Sequence, residues 1–279
     1  MGRTGQFVVG PAGTGKSSYC KAMKDYCESS NRRTYVINLD PAAEDLAYDC
    51  DLDIRDLISL NDALEEMNLG PNGGLVFSDE IAEFDEDGFF IFDCPGQIEL
   101  FTHFTYMRDI AKKLTDNGFR LCSVYLMDAP FVSDEFKYIS GSLMGLTTML
   151  QMELPHVNVL TKCDMVDQEK IDKYIYIYIY IRIILGKLYI FPDGLALATK
   201  LSQYFGDSPF ANLHTAMADL LDDFSMVAFL EFSIYDEDKI ANVLLQTDII
   251  VQYGEDLDVP DTIPGEEQEE PDEPEGEYC

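Results

Sequence analysis

Basic side chains are scarce in this chain. Nineteen Lys and Arg stand against 52 Asp and Glu, for a formal net charge of -33. Gripping nucleic acid requires Lys and Arg to neutralise phosphates, so direct nucleic-acid binding is not expected. The balance suits a soluble protein that avoids anionic surfaces or seeks basic partners. No C-x-x-C pair occurs, which argues against a zinc site. The seven cysteines (Cys20, Cys27, Cys50, Cys94, Cys122, Cys163 and Cys279) are odd in number and irregularly spaced. They do not read as a disulfide framework; reduced thiols in a cytosolic or nuclear protein are expected. No signal peptide is expected, because a short apolar strand runs straight into a glycine-rich loop. Met1-Gly2 is followed by Arg3-Thr4-Gly5-Gln6, without the Ser or Thr that N-myristoylation wants at the sixth position.

What remains is an ordinary globular composition. The 279 residues are 47% apolar and 25% charged, enough for one large α/β domain or two small ones. Apolar strands are expected at 6–9, 34–38, 88–92, 119–127 and 156–160. Helices are expected at 16–29, 56–69, 133–151, 208–224 and 239–253. This alternation predicts a three-layer α/β fold with a mainly parallel sheet and helices on both faces. In such sheets ligands sit beyond the carboxyl ends of the strands. Gly10, Asp40, Asp93 and Thr161 all fall at those ends.

Gly10-Pro11-Ala12-Gly13-Thr14-Gly15-Lys16-Ser17 fits G-x-x-x-x-G-K-[ST], the P-loop pattern. Its glycines let backbone N–H groups turn inward onto phosphate oxygens, and the helix N-terminus behind it adds positive potential. Lys16 is expected on the β- and γ-phosphates, Ser17 on Mg²⁺, and Ser18 on the nucleotide beside it. Asp93-Cys94-Pro95-Gly96-Gln97-Ile98-Glu99 fits D-x-x-G-Q. Asp93 is expected to hold Mg²⁺ through a water, Gly96 N–H to sense the γ-phosphate and Gln97 to orient the attacking water. Thr161-Lys162-Cys163-Asp164 resembles the N-K-x-D guanine motif with Thr for Asn. The Asp164 carboxylate can accept both N1–H and N2–H₂ of guanine; adenine offers no such pair. Asp40 fits two roles: ordering the water or the Mg²⁺ shell, or capping a helix that starts at Pro41.

These motifs together with Asp40-Pro41-Ala42 and Gly70-Pro71-Asn72-Gly73-Gly74 resemble the GPN-loop GTPases. The resemblance covers residues 1 to about 165 and resumes over about 205–258. Phe119-Arg-Leu-Cys, Phe136-Lys-Tyr-Ile-Ser-Gly141 and Gln252-Tyr-Gly-Glu-Asp256 look most like the third eukaryotic paralogue group. The resemblance implies a P-loop NTPase fold, GTP and GDP as nucleotides, and Mg²⁺ as the metal. It also implies a dimer, with a paralogous GPN-loop GTPase or with a second copy, in which Asn72 acts in trans on the partner's nucleotide. The family's link to RNA polymerase II implies a place in that enzyme's assembly or nuclear import. A cytoplasmic protein that shuttles to the nucleus is the corresponding expectation, with no membrane association.

Two regions depart from the family pattern. Residues 78–88 form a short acidic stretch where a longer helix is expected. Residues 174–181 alternate Tyr and Ile, and Arg182 and Lys187 follow. Three readings compete for this run. A membrane span needs about 20 apolar residues and no such charges. A strand of one tyrosine face and one isoleucine face would invite aggregation. A TA repeat read in frame also gives Tyr-Ile, so residues 168–200 are expected to be translated intron or a mis-joined gene model. The globular domain then runs over 1–254, with Phe229 to Ser233 as the candidate last guanine-contacting loop. Residues 255–279 carry twelve acidic residues and no Lys or Arg, and read as a disordered acidic tail. Two rival functions stay open: an adenine-using P-loop ATPase or kinase, and an assembly scaffold that binds nucleotide with negligible turnover.

Overall fold

The computed structural model describes residues 2–57, 81, 84, 85, 87–166, 213, 216, 217, 219, 220 and 228–255. Seven parallel strands make one sheet: β1 Thr4–Val9, β2 Thr34–Asn38, β3 Leu52–Asp53, β4 Phe89–Asp93, β5 Arg120–Asp128, β6 His156–Thr161 and β7 Phe229–Glu231. Their order is β3-β2-β4-β1-β5-β6-β7. The chain leaves β1 toward β2 on one side, and the step from β4 to β5 crosses to the other side of β1. The topological switch therefore lies at β1, where α/β sheets bind ligands.

The six described helices are α1 Lys16–Ser29, α2 Ile54–Leu57, α3 Glu99–Thr102, α4 Tyr106–Asp116, α5 Glu135–Met152 and α6 Glu237–Ile250. Short 3-10 turns follow β5 (Ala129–Ser133) and β6 (Cys163–Met165). Side-chain alternation along each strand splits the interior into two cores. Phe7, Phe90, Phe92, Leu121, Tyr125 and Met127 face one core, capped by Met107, Ala111 and Leu114 of α4 and by Tyr138, Ile139 and Leu146 of α5. Val8, Phe89, Ile91, Cys122, Val124 and Leu126 face the other. There α1 contributes Tyr19, Cys20, Met23 and Cys27, and α6 contributes Ile240, Val243 and Leu244. Burying one such side chain stabilises the fold by roughly 1.5–3 kcal/mol. With both faces covered, the strands must read as near-continuous apolar runs, as they do.

Most expected elements lie where the periodicity puts them, within a few residues. Helices α3 and α4 were not expected. The turn at residues 40–51 is not the helix start that Asp40-Pro41 allowed; it crosses back to the sheet as β3. Within the acidic 78–88 stretch, Ile81 is fully buried, and Phe84 packs 4.7 Å from Tyr35. Of the expected 208–224 helix, the described residues are helical. The Gly70-Pro71-Asn72 motif, residues 168–200 and residues 256–279 lie outside the described residues. Among the described residues, no helix is long and apolar enough to cross a membrane.

Candidate functional site

The phosphate loop begins where β1 ends. Gly10 has φ +150, and a Cβ there would lie 2.7 Å from the Leu126 carbonyl oxygen, so the loop can leave the sheet here only as glycine. Gly13 and Gly15 have φ +82 and +84. Between them Thr14 closes the turn, its hydroxyl donating to Pro11 O at 2.8 Å. Pro11, Ala12 and Gly13 form the rim, with Ala12 and Gly13 exposed. Gly15 caps α1 with no side-chain acceptor on its first N–H groups. By contrast, Asp134 caps α5 and Asp236 caps α6. The uncapped amides of α1 open toward the loop, as an anion site requires.

Lys16 is buried, and its ammonium donates to the carbonyls of Gly10 and Pro11, both at 3.2 Å. These are neutral acceptors; among the described residues no carboxylate is bonded to this charge, which suits a cation reserved for phosphate. Gly96 sits over the same spot: a Cβ there would lie 3.0 Å from Ala12 Cα and 3.2 Å from Lys16 Nζ. The D-x-x-G segment thus closes on the phosphate loop from the β4 side. Gln97 is exposed just beyond Gly96, and Glu99 is exposed at the first turn of α3.

Asp93 ends β4 almost fully buried. Burial pushes its carboxyl above the usual range; hydrogen bonds from the Ser17 and Tyr48 hydroxyls and the nearby Lys16 charge oppose that, and Asp40 adds to it. Asp40 is itself engaged, since its Oδ1 accepts from Ala42 N at 2.9 Å. So its carboxylate does cap a turn, yet its charge still reaches Asp93. The Asp93 carboxylate, with the Ser17 hydroxyl beside it and the Asp40 charge acting on it, makes a hard-oxygen set that disfavours its own charge without a cation. That set fits Mg²⁺, which takes one or two protein oxygens and completes its shell with phosphate and water. Ser18 is exposed on the next position of α1.

On the β5–β6 side, the Thr161 hydroxyl reaches Thr14 O at 2.8 Å, with Met127 O at 3.2 Å. Lys162 adopts a left-handed backbone, φ 57. Its ammonium donates to Gly13 O at 2.6 Å and pairs with Asp128 Oδ2 at 3.1 Å. The T-K-x-D segment is therefore stitched to the phosphate loop by two side chains. Asp164 is exposed at the rim. Beside it Phe232 N donates to Leu160 O at 2.8 Å, which sets the turn after β7, with buried Ser233, at the same edge.

The structure thus brings P-loop, Asp93, Asp40, Gly96 and the Thr161–Asp164 segment to one edge of the sheet. Two further participants were not singled out in the sequence. Tyr48, in an aperiodic loop, donates to Asp93 Oδ2 at 2.8 Å. Asp128 holds Lys162; the only clue was a polar residue at the end of an apolar strand.

Comparison with known proteins follows the same lines. A family model described as "Conserved hypothetical ATP binding protein" matches residues 8–253. GPN-loop GTPase 3 of Danio rerio is 40% identical, over 97% of this chain and 95% of its own length. GPN-loop GTPase 3 of Saccharomyces cerevisiae is 39% identical, over 97% of each. The crystal structure of an apo GTPase from Pyrococcus abyssi shares the fold, with a TM-score of 0.66 at 18% identity over 88% of this chain and 97% of that one. With relatives of this similarity along nearly its whole length, the chain belongs to the GPN-loop GTPase family.

Proposed function

We propose that this chain is a GTP-hydrolysing switch that works as a dimer. The observation that carries the reading is the convergence on one loop of phosphate, metal and base elements. Lys16 lies under Gly10 and Pro11, Asp93 reaches Ser17, and Thr161 and Lys162 bind Thr14 and Gly13. Such stitching supports a site in which base recognition and phosphate binding are set together.

In this mechanism the α1 amides and Lys16 take up charge on the transferring phosphoryl group. Gln97 orients a water for attack on the γ-phosphorus; the bond to the β–γ bridging oxygen breaks, and GDP, phosphate and a proton leave. Ser17 and Asp93, with Asp40 beside them, would hold Mg²⁺, which supplies neutralisation of the phosphate oxygens. Asp164 selects guanine. Asn72 of a second subunit, a paralogue or another copy, completes the site in trans. On the family resemblance, the switch serves assembly or nuclear import of RNA polymerase II and acts in the cytoplasm with passage to the nucleus.

A single-turnover GTP assay on the purified dimer tests turnover directly. Conversion of bound GTP to GDP is expected, with Lys16→Ala abolishing nucleotide retention. Stable GTP over hours would favour a scaffold instead. Stronger binding of fluorescent ADP than of fluorescent GDP would overturn the guanine assignment.

A further inference from the structure

The geometry points to Tyr48 as a positioning residue for the metal-side carboxylate, one that ties the loop after Asp40 to the state of the metal site. This inference rests on the reading of Ser17 and Asp93 given above. Tyr48 is 9% exposed, and its side chain packs in the core shared with Tyr19, Cys20 and Met23 of α1. Its hydroxyl emerges from that apolar wall and donates to Asp93 Oδ2 at 2.8 Å. The Ser17 hydroxyl lies beside the same carboxylate and favours its charged form. A buried carboxylate held through one oxygen by a hydroxyl from another element cannot turn freely about its χ2.

The backbone that delivers Tyr48 is anchored along its length. Asp40 and Asn38 exchange hydrogen bonds at its start. Arg55 holds the Ala43 carbonyl at 2.7 Å. Lys24 of α1 holds the Asp49 carbonyl and the Asp51 carboxylate, both at 2.9 Å. Asp51 in turn accepts from Val36 N at 2.8 Å. Residues 40–51 are therefore a strap, and Tyr48 is where the strap touches the site. Because Asp40 opens the strap and Tyr48 binds Asp93, the metal-side carboxylate and the charge that acts on it are both positioned by one segment. The same segment continues through β3 into α2, whose Arg55 is bonded to both Asp53 and Ala43.

Removing only the phenol oxygen isolates the role. Tyr48→Phe keeps the ring and the packing but leaves one oxygen of a buried carboxylate without its donor. Loss of such an outer-shell partner typically weakens a metal about 10- to 100-fold. The full chain, in the complex it forms, is loaded with fluorescent GDP, and release is followed over a range of buffered free Mg²⁺. Wild type is expected to release nucleotide slowly above a defined Mg²⁺ midpoint. Y48F is expected to raise that midpoint about tenfold while leaving the release rate in excess chelator unchanged. Adding Y48F to Asp93→Asn is expected to move nothing further. A Y48F curve that superimposes on wild type overturns the role. So does equal acceleration at every Mg²⁺ concentration with a lowered melting temperature, which would make Tyr48 a packing residue only. Absence of any Mg²⁺ dependence in wild type would instead refute the metal site itself.

Discussion

The Lys162 ammonium lies 2.6 Å from the carbonyl oxygen of Gly13, bridging the base-side loop to the phosphate loop across 149 residues of sequence. Asp128 fixes the same ammonium from the other side at 3.1 Å. The lysine is thus a brace between two loops that must close on one nucleotide, and its left-handed backbone is kept because that brace requires it. Lys162→Met removes the brace and leaves the Asp128 carboxylate facing the gap. A hydrogen bond to a charged group contributes about 1.5–3 kcal/mol, so GDP affinity is expected to fall at least tenfold. Fluorescence titration checks this; unchanged affinity would show that the brace does not serve binding.

Asp164 is exposed, and among the described residues no hydrogen bond or ion pair engages its carboxylate. Asp164→Ala should therefore leave thermal stability within about 0.5 kcal/mol of wild type, the usual range for surface substitutions. Its expected effect is on the ratio of GDP to ADP affinity, which should drop by about 100-fold as a bidentate base contact is lost. Competition between the two fluorescent diphosphates measures the ratio directly. A preserved ratio would move guanine selection to another residue, with the turn after β7 the first place to look.

How much of this could be read beforehand follows from the range of the interactions. The phosphate loop was legible because its glycines and Lys16 obey a local spacing rule dictated by a single turn. Asp93 and Thr161 were legible because each ends an apolar run, and parallel strands carry such ends to one edge. Tyr48 was not, because its partner is 45 residues away and its own loop has no periodicity. Helices α3 and α4 went unseen for a related reason: the D-x-x-G-Q motif dominated the local pattern and hid the amphipathic residues after it. The Asp40 turn was half legible; a capping carboxylate was foreseen, but not that the chain returns to the sheet.

Arg32 shows the same limit on the stability side. Its guanidinium lies 4.0 Å from the Phe89 ring centroid and 3.8 Å from that of Tyr253. One of its nitrogens meets both oxygens of Asp248 at 2.9 Å. The partner is 216 residues away, so the pair pins the end of α6 onto the start of the sheet. The rings flank a guanidinium whose Nε and Nη2 have no hydrogen-bond acceptor among the described residues. Arg32→Ala strands the Asp248 charge and should cost on the order of 3 kcal/mol. Arg32→Lys keeps the charge but not the flat cation between two rings, and should recover less than half of that loss. Denaturant midpoints with unchanged slopes would check both; a fully stable lysine variant would mean that charge alone suffices.

The last prediction concerns acid. His156 opens β6 between two partners, with Nδ1 3.1 Å from Ser123 Oγ and Nε2 3.1 Å from Asn158 Oδ1. The Asn oxygen can only accept, so Nε2 carries the proton and the Ser123 hydroxyl donates to Nδ1. The neutral ring satisfies both contacts; the charged ring could keep them only by turning the Ser123 hydroxyl from donor to acceptor, and would still carry its charge in a buried place. The residue is only half-buried overall, but both ring nitrogens are engaged, and burial lowers the pKa from 6.5 to about 4. The unfolded chain therefore binds this proton first as the pH falls. Stability from this group is whole above about pH 6.5 and declines as the pH drops toward 4, by about 2 kcal/mol at pH 5. Total stability also carries the relief of acidic self-repulsion, which has the opposite sign in a chain this negative. The measurement must therefore be a difference. His156→Gln is expected to be less stable than wild type at pH 7.5 and to narrow that gap by about 2 kcal/mol at pH 5. A gap that stays constant between the two pH values would show that His156 titrates normally in the folded protein.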